Sequence, residues 1–135
     1  MANTLYNKGR EGFLDGSIDF DTDDIRMMLV KNTYTFDNTD QFVDDITPAT
    51  NDNGRTAALG SKTVTSGVAD AADTSLTATD ADTCDAVIIF QHTGSDATAR
   101  LIAYIDTATG LPITPSASAT VNLVFDGGVN KIFKL

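Results

Sequence analysis

The side chains in this chain that could do chemistry are few, and most of them are aspartates. Asp19-Phe-Asp-Thr-Asp-Asp24 sets the carboxylates of Asp19, Asp21 and Asp23 at alternate positions, as a calcium loop does when it rings a hard cation with oxygen. An EF-hand loop starting at Asp19 would need Gly at its sixth position and Glu at its twelfth, where Asp24 and Val30 stand. The other role for such a run is a turn whose aspartates hydrogen-bond nearby backbone. His92 is the single histidine, so a zinc site there would lack ligands. Ser95, His92 and Asp96 have the residue types of a catalytic triad, but closeness in sequence is not triad geometry, and no Gly-x-Ser-x-Gly elbow occurs. Asp44 and Asp45 are a carboxylate pair of the kind glycoside hydrolysis uses, in a chain with no Trp and few aromatics to build a sugar cleft. Cys84 is alone, cannot form an intrachain disulfide, and reads as a small buried hydrophobe. No glycine loop suited to cradling phosphate is present. These observations assign no catalytic residue, no cofactor and no metal, with Asp19, Asp21 and Asp23 the one calcium candidate. Arg26, Arg55 and Arg100 are candidate interface anchors, because a guanidinium can fork onto a carboxylate across a contact, the alternative being surface salt bridges within one subunit.

The rest of the composition describes what must position such groups. A length of 135 residues suits one domain that buries about two-thirds of the surface its unfolded chain exposes. Asp supplies 18 of the 19 acidic residues and Glu11 the other. Asp prefers caps and turns, and Thr, the commonest residue, prefers strands, so the balance argues against a helical protein. The formal net charge of −10 repels phosphate backbones and leaves nucleic acid an unsuitable partner. No apolar run reaches the length of a membrane span, and the opening residues lack the apolar core of a signal peptide. The expectation is synthesis in a cytoplasm without export by the standard route.

Along the chain, residues 4–15 predict a short helix capped by Asn3 or Thr4 and ended by Gly16. Residues 25–31 read as a strand buried on both faces. Asn38 and Gln41 resemble a capping box that opens one helical turn, with Phe42, Val43 and Ile46 inward. Residues 47–60 are polar and predict an exposed loop, either solvated or an arm onto a neighbour. From residue 61 the pattern is β-rich, with short strands at 62–66, 67–71, 74–79, 86–92, 98–106, 119–125 and 129–135. In 98–106, Leu101, Ala103 and Ile105 fall on one face, and Arg100, Ile102, Tyr104 and Asp106 on the other. Residues 111–115 carry two prolines and can only be an edge or a strand end. Asp126-Gly-Gly128 predicts a hairpin that folds 129–135 back on 119–125. The predicted fold is mainly β: a small antiparallel β-sandwich, jelly-roll-like, with one or two short N-terminal helices. It is a single domain, residues 1–135, with a helix-strand-helix portion at 1–46, the loop 47–60 and a β-rich portion at 61–135.

The opening Tyr6-Asn-Lys-Gly-Arg-Glu-Gly-Phe-Leu-Asp-Gly-Ser-Ile-Asp-Phe20 with Asp24-Ile-Arg-Met-Met-Leu-Val30 resembles a group of short proteins from tailed bacteriophages. So does Ala99-Arg-Leu-Ile-Ala-Tyr-Ile-Asp-Thr-Ala-Thr-Gly-Leu-Pro-Ile-Thr-Pro115 with the ending Val129-Asn-Lys-Ile-Phe-Lys-Leu135. The shared positions are core and turn residues, and no site motif comes with them. The resemblance implies a virion structural component that is not an enzyme. The first expectation is a capsid decoration or cement protein on the outer shell, with the major capsid protein as partner. A homo-oligomer is expected, a trimer at threefold positions being one arrangement. The alternatives are a tail, neck or head-fibre component, or a ligand- or glycan-binding β module for host adhesion.

Overall fold

The computed structural model describes residues 3–129 and 131–135. Asn130, inside the predicted final strand, and Met1 and Ala2, in the opening read for a leader, lie outside the described residues. The fold is mainly β and antiparallel, a small sandwich with two short helices. Its centre is a five-stranded sheet in the order β1 (Thr4–Leu5), β8 (Leu101–Ile105), β7 (Cys84–Gln91), β2 (Ile25–Lys31), β3 (Asp52–Arg55). Two smaller sheets complete the molecule. One is β10 (Phe133–Lys134), β5 (Val68–Asp70), β4 (Thr63–Thr65), and the other pairs β6 (Thr74–Thr77) with β9 (Thr120–Leu123).

Two apolar layers flank the central sheet. Ile25, Met27 and Leu29 of β2 and Val87 and Ile89 of β7 face the small sheets, where they meet Ala69, Leu76 and Val121. Met28 and Val30, with Ala86, Ile88 and Phe90, face the other way, onto Tyr6, Tyr34, Val43 and Ile46. Strands β2 and β7 are therefore buried on both sides, as residues 25–31 predicted for β2. Each fully buried side chain of this size contributes about 1.5–3 kcal/mol of transfer free energy.

Strand β8 departs from the predicted alternation. Ile89 pairs with Ala103 but Phe90 pairs with Leu101, so Ile102 is an extra residue in a bulge. Ile102 and Ala103 consequently join the same apolar layer, while Leu101 and Tyr104 join the opposite one. Helix α1 (Asn7–Asp15) sits on this bulge. The Ile102 carbonyl accepts from the Tyr6 N–H at 2.9 Å, and a Cβ on Gly9 would lie 2.6 Å from that same oxygen. Only a residue without a side chain lets the helix approach so closely. The helix ends at Gly16 in the left-handed conformation, as expected, but it is not capped by Asn3 or Thr4. Tyr6 is its N-cap residue, Thr4 lies in β1, and the Asn3 side chain accepts from the Asp106 and Thr107 N–H groups instead. The next helical turn, Val43–Ile46, is 3-10, and its cap differs from the predicted box as well: the Asp45 carboxylate accepts from the Gln41 and Phe42 N–H groups at 2.8 and 2.9 Å. Val43 and Ile46 are buried as predicted, and Phe42 is half-buried.

Residues 47–60 are not an exposed loop. They form α2 (Pro48–Asn51) and the edge strand β3, and Asn51, Asn53, Thr56 and Leu59 are buried. Polar side chains enter the interior here because each is hydrogen-bonded. Asn51 Nδ2 donates to the Ile46 carbonyl at 2.7 Å and its Oδ1 accepts from Thr33. Asn53 Oδ1 accepts from the Thr79 and Asp80 N–H groups at 3.0 and 2.9 Å, and Nδ2 donates toward the Asp80 and Asp82 carbonyls. Thr56 Oγ1 accepts from the Met27 N–H at 3.0 Å. Gly54, at φ 124°, permits the approach, since a Cβ there would stand 2.5 Å from the Thr77 carbonyl oxygen.

The predicted terminal hairpin is also replaced. Phe133 and Lys134 pair with Ala69 and Val68 of β5, not with β9, whose partner is β6. Gly127 and Gly128 lie outside the left-handed region that a two-residue hairpin turn requires. The Asp126 carboxylate accepts from the Gly128 N–H at 3.0 Å, an Asx turn that redirects the chain. Ile113 exchanges both backbone hydrogen bonds with Cys84 at 2.8 Å, a strand end as the prolines required.

Candidate interaction surface

The candidate anchors divide into two that are tied down and one that is not. Arg26 lies on β2 and forks onto Asp24 two residues earlier, Nε to Oδ1 and Nη2 to Oδ2, both 2.9 Å. That hydrogen bond holds the Asp24 carboxyl below the usual carboxylate range. Arg55 closes β3 and reaches across the fold. Its Nη1 and Nη2 clasp Asp96 at 2.7 and 2.9 Å, its Nε holds Asp52 at 2.7 Å, and its guanidinium stands 5.5 Å from the Phe90 ring centroid. The clasp raises the pKa of Arg55 and lowers that of Asp96. Both arginines are struts within the chain. Arg100 pairs with Phe42 in an isolated bridge, and its Nη1 is buried with no hydrogen-bond partner among the described residues.

The acidic run is bent into a turn. Asp23 Oδ2 accepts from the Asp19 N–H at 2.8 Å and from Gln91 Nε2 at 2.7 Å, which spends that carboxylate on the scaffold. Asp19 and Asp21 share a hydrogen bond that lowers the pKa of the first and raises that of the second. Among the described residues no group of three or more His, Cys, Asp or Glu side chains is placed to hold a metal ion, so the calcium arrangement of Asp19, Asp21 and Asp23 is not formed. Sequence spacing put three carboxylates near one another; the turn aims one of them inward.

The triad residues do not converge. Asp96 is held by Arg55, the His92 backbone N–H donates to the Asp24 carbonyl, and the His92 ring lies edge-on to Phe90 at 6.5 Å. Asp45 caps a helical turn. Cys84 is buried beside Asn53 Nδ2 at 3.2 Å, and burial pushes its thiol pKa up. The most enclosed titratable groups were not singled out from sequence. Tyr6 and Tyr34 hydroxyls meet at 3.1 Å, and Tyr34 donates to Asp40 Oδ2 at 2.8 Å. Burial raises all three pKa values and pushes Tyr104, stacked near Phe36 at 4.8 Å, up to about 12. The network locks the segment 34–40 onto β8, where Tyr34 and Phe36 meet Tyr104.

Two depressions open at the surface on the side of the small sheets. The smaller, about 450 Å³, lies where α1, the acidic turn and the β10-β5-β4 sheet meet. Phe13, Phe20 and Phe133 line it, with ring centroids 5.7 Å apart for Phe20 and Phe133 and 5.9 Å for Phe13 and Phe133. Val64 and Leu135, 52% and 60% exposed, stand in its wall together with Asp19 and Asp21. The larger is a cleft of about 970 Å³ over Met27, Leu29 and Val87, bordered by Thr107, Thr120 and Asn122. Beside the smaller depression runs β4, the end strand of its sheet, with Thr63, Val64 and Thr65 all exposed.

No family model, curated protein or solved structure matches this chain. No described helix is long and apolar enough to cross a membrane.

Proposed function

We propose that this chain is a virion structural protein of a tailed bacteriophage, a capsid decoration or cement subunit that binds the outer surface of the shell and stabilises it. One observation carries the reading. Several of the side chains that could do chemistry are engaged in holding the fold, whereas one face presents an open strand edge and exposed apolar side chains. Asp23, Asp45, Asp96, Arg26 and Arg55 all bond within the chain. Strand β4 and Val64 face outward. A protein so arranged has surface to offer a partner. The likeness of its opening and closing segments to short phage proteins supports the same placement.

Many copies on a symmetric shell convert modest contacts into firm attachment, because each added contact acts at high effective concentration. The partner is the major capsid protein, the site of action is the virion, and a trimer at threefold positions is the arrangement we favour. Immunogold labelling of intact virions tests this. Even label over the head supports decoration, and heads stripped of the protein should then melt at lower temperature. Label confined to the tail or to one vertex favours the tail, neck or fibre role and sinks the cement reading.

A second reading has one observation of its own. The 970 Å³ cleft, with an apolar floor and threonine and asparagine borders, has the size and mixed lining of a small-ligand site. A ligand- or glycan-binding module would use it. Binding of the isolated chain on a glycan array, lost on narrowing the cleft with Thr120→Trp, would favour that role.

A further inference from the structure

The smaller depression points to the chemistry of the partner. We propose that the pocket between Phe13, Phe20, Phe133 and Val64, with Asp19 and Asp21 in its wall, is a receptor for a lysine or arginine side chain of a partner protein. It deepens the shell reading and rests on it only for which protein supplies that side chain.

Three features on this surface select the occupant. The first is size. About 450 Å³ lies at the small end of ligand sites, suited to one long side chain with its flanking backbone. The second is the aromatic wall. Phe13 and Phe133 are half-buried and tilted against each other, so part of each ring is left to cover an aliphatic stem and attract a cation, and the buried Phe20 backs Phe133 edge to face. The third is charge. Asp19 and Asp21 both lie in the wall, so two carboxylates border one opening, an arrangement that suits a cation and disfavours an anion. Lys62, which acts on Asp21 through space, donates to the Leu59 carbonyl at 3.3 Å and makes no ion pair among the described residues. A lysine or arginine satisfies all three features at once, because such side chains lay their stems on apolar surface and keep the charged head at its polar edge. A purely apolar anchor leaves the two carboxylates uncompensated, and an acidic one is repelled by a chain of net charge −10.

The test uses the full chain and two small probes in NMR titrations: Nα-acetyl-lysine amide, and Nα-acetyl-norleucine amide, which has the stem without the charge. The lysine probe should give saturable shifts at Val64, Phe13, Phe20 and Phe133, with a Kd on the order of 1–10 mM as its size allows. The norleucine probe should bind about fivefold more weakly or worse. The double variant Asp19→Asn, Asp21→Asn keeps the side-chain shapes and their capping oxygens, and should bring lysine down to the norleucine level with the remaining amide spectrum in place. Equal binding of the two probes, unchanged lysine binding in the double variant, or shifts scattered over the surface would each overturn the proposal. Sedimentation of the chain with phage heads separates the two readings. Wild-type chain that recognises lysine but does not sediment with heads refutes the shell role and leaves the pocket standing. Wild-type chain that sediments while showing no lysine recognition refutes the pocket and leaves the shell role standing.

Discussion

Replacing Gly9 by Ala is the sharpest test of how α1 is seated. On helix propensity alone the change should stabilise by about 1 kcal/mol, since Gly is the poorer helix former. The packing says otherwise. The new Cβ would stand 2.6 Å from the Ile102 carbonyl oxygen and 2.8 Å from the Ile102 Cα, and both are backbone atoms of a central strand. Ordinary contact requires the two elements to separate by about 0.5–1 Å. The same oxygen accepts the Tyr6 N–H at 2.9 Å, so separation also stretches that hydrogen bond. Overpacking costs about 1–3 kcal/mol and a weakened buried hydrogen bond about 1 kcal/mol more. After the propensity gain, a net loss of about 1–3 kcal/mol remains, which for a domain of this size lowers Tm by roughly 4–12 °C. Gly12→Ala is the internal control. Its Cβ would meet Cδ1 and Cγ1 of Ile18 at 2.4 and 2.6 Å, side-chain atoms that can shift more readily than the backbone met at Gly9, and its loss should be the smaller of the two. Thermal unfolding followed by circular dichroism gives both values. A Gly9→Ala protein as stable as the parent would refute the seating of α1 on the bulge.

Other outcomes follow from the polar struts. Arg55→Met should cost about 1–2 kcal/mol, a figure reduced because Asp96 is more than a third exposed, and Arg26→Met under about 1 kcal/mol; urea unfolding that ranks them in reverse would contradict the strut assignment. Asp96, Asp24 and Asp80 have carboxyl pKa values lowered by their Arg55, Arg26 and Lys31 hydrogen bonds, so each contributes stability that is present above the ordinary carboxylate pKa of about 4 and lost as pH falls through the folded value. The stability difference between parent and Arg55→Met should therefore shrink below about pH 4, and a gap that stays constant down to pH 2 would count against the Asp96 clasp. Asn53→Ala leaves the Asp80 N–H and neighbouring groups unsatisfied in the interior and should cost about 2–4 kcal/mol, read by the same unfolding assay. Cys84 should react with a thiol reagent only on unfolding; fast labelling of native protein would show that its burial beside Asn53 is wrong.

The elements most legible in the sequence were those whose signal is local and strong. Residues 25–31 and 86–92 are dominated by apolar residues, and they fall in β2 and β7 at the centre of the sheet. Gly16 stops α1 because a helix end that needs the left-handed conformation selects glycine. The candidate site was legible only in part. Asp19 and Asp21 were visible as a cluster, but nothing in their spacing shows that Phe13, from the helix, and Phe133, from the far end of the chain, stand beside them. Arg26 and Arg55 were rightly seen as carboxylate-seeking, yet the carboxylates they found belong to their own chain. The Tyr6, Tyr34 and Asp40 network escaped notice because its members are spread along 34 residues with no motif to join them.

What the sequence determined by itself was class: a β-rich, acidic chain, with short strands read from apolar periodicity and turns read from Gly, Asp and Pro. Periodicity is a property of neighbouring residues, so it survives without knowledge of the rest of the fold. Three matters were decided only in three dimensions. Residues 47–60 look solvated by composition, but Asn51, Asn53 and Thr56 find buried partners as far away as Cys84. The final strand looks like half of a hairpin, but β6 holds β9, and the tail pairs with β5. Ile102 looks like one more alternating residue, but the pairing of β8 with β7 makes it a bulge and turns it to the opposite layer. In each case the outcome depends on which distant backbone groups satisfy one another. That competition is settled among segments far apart in the chain, and local pattern carries no record of it.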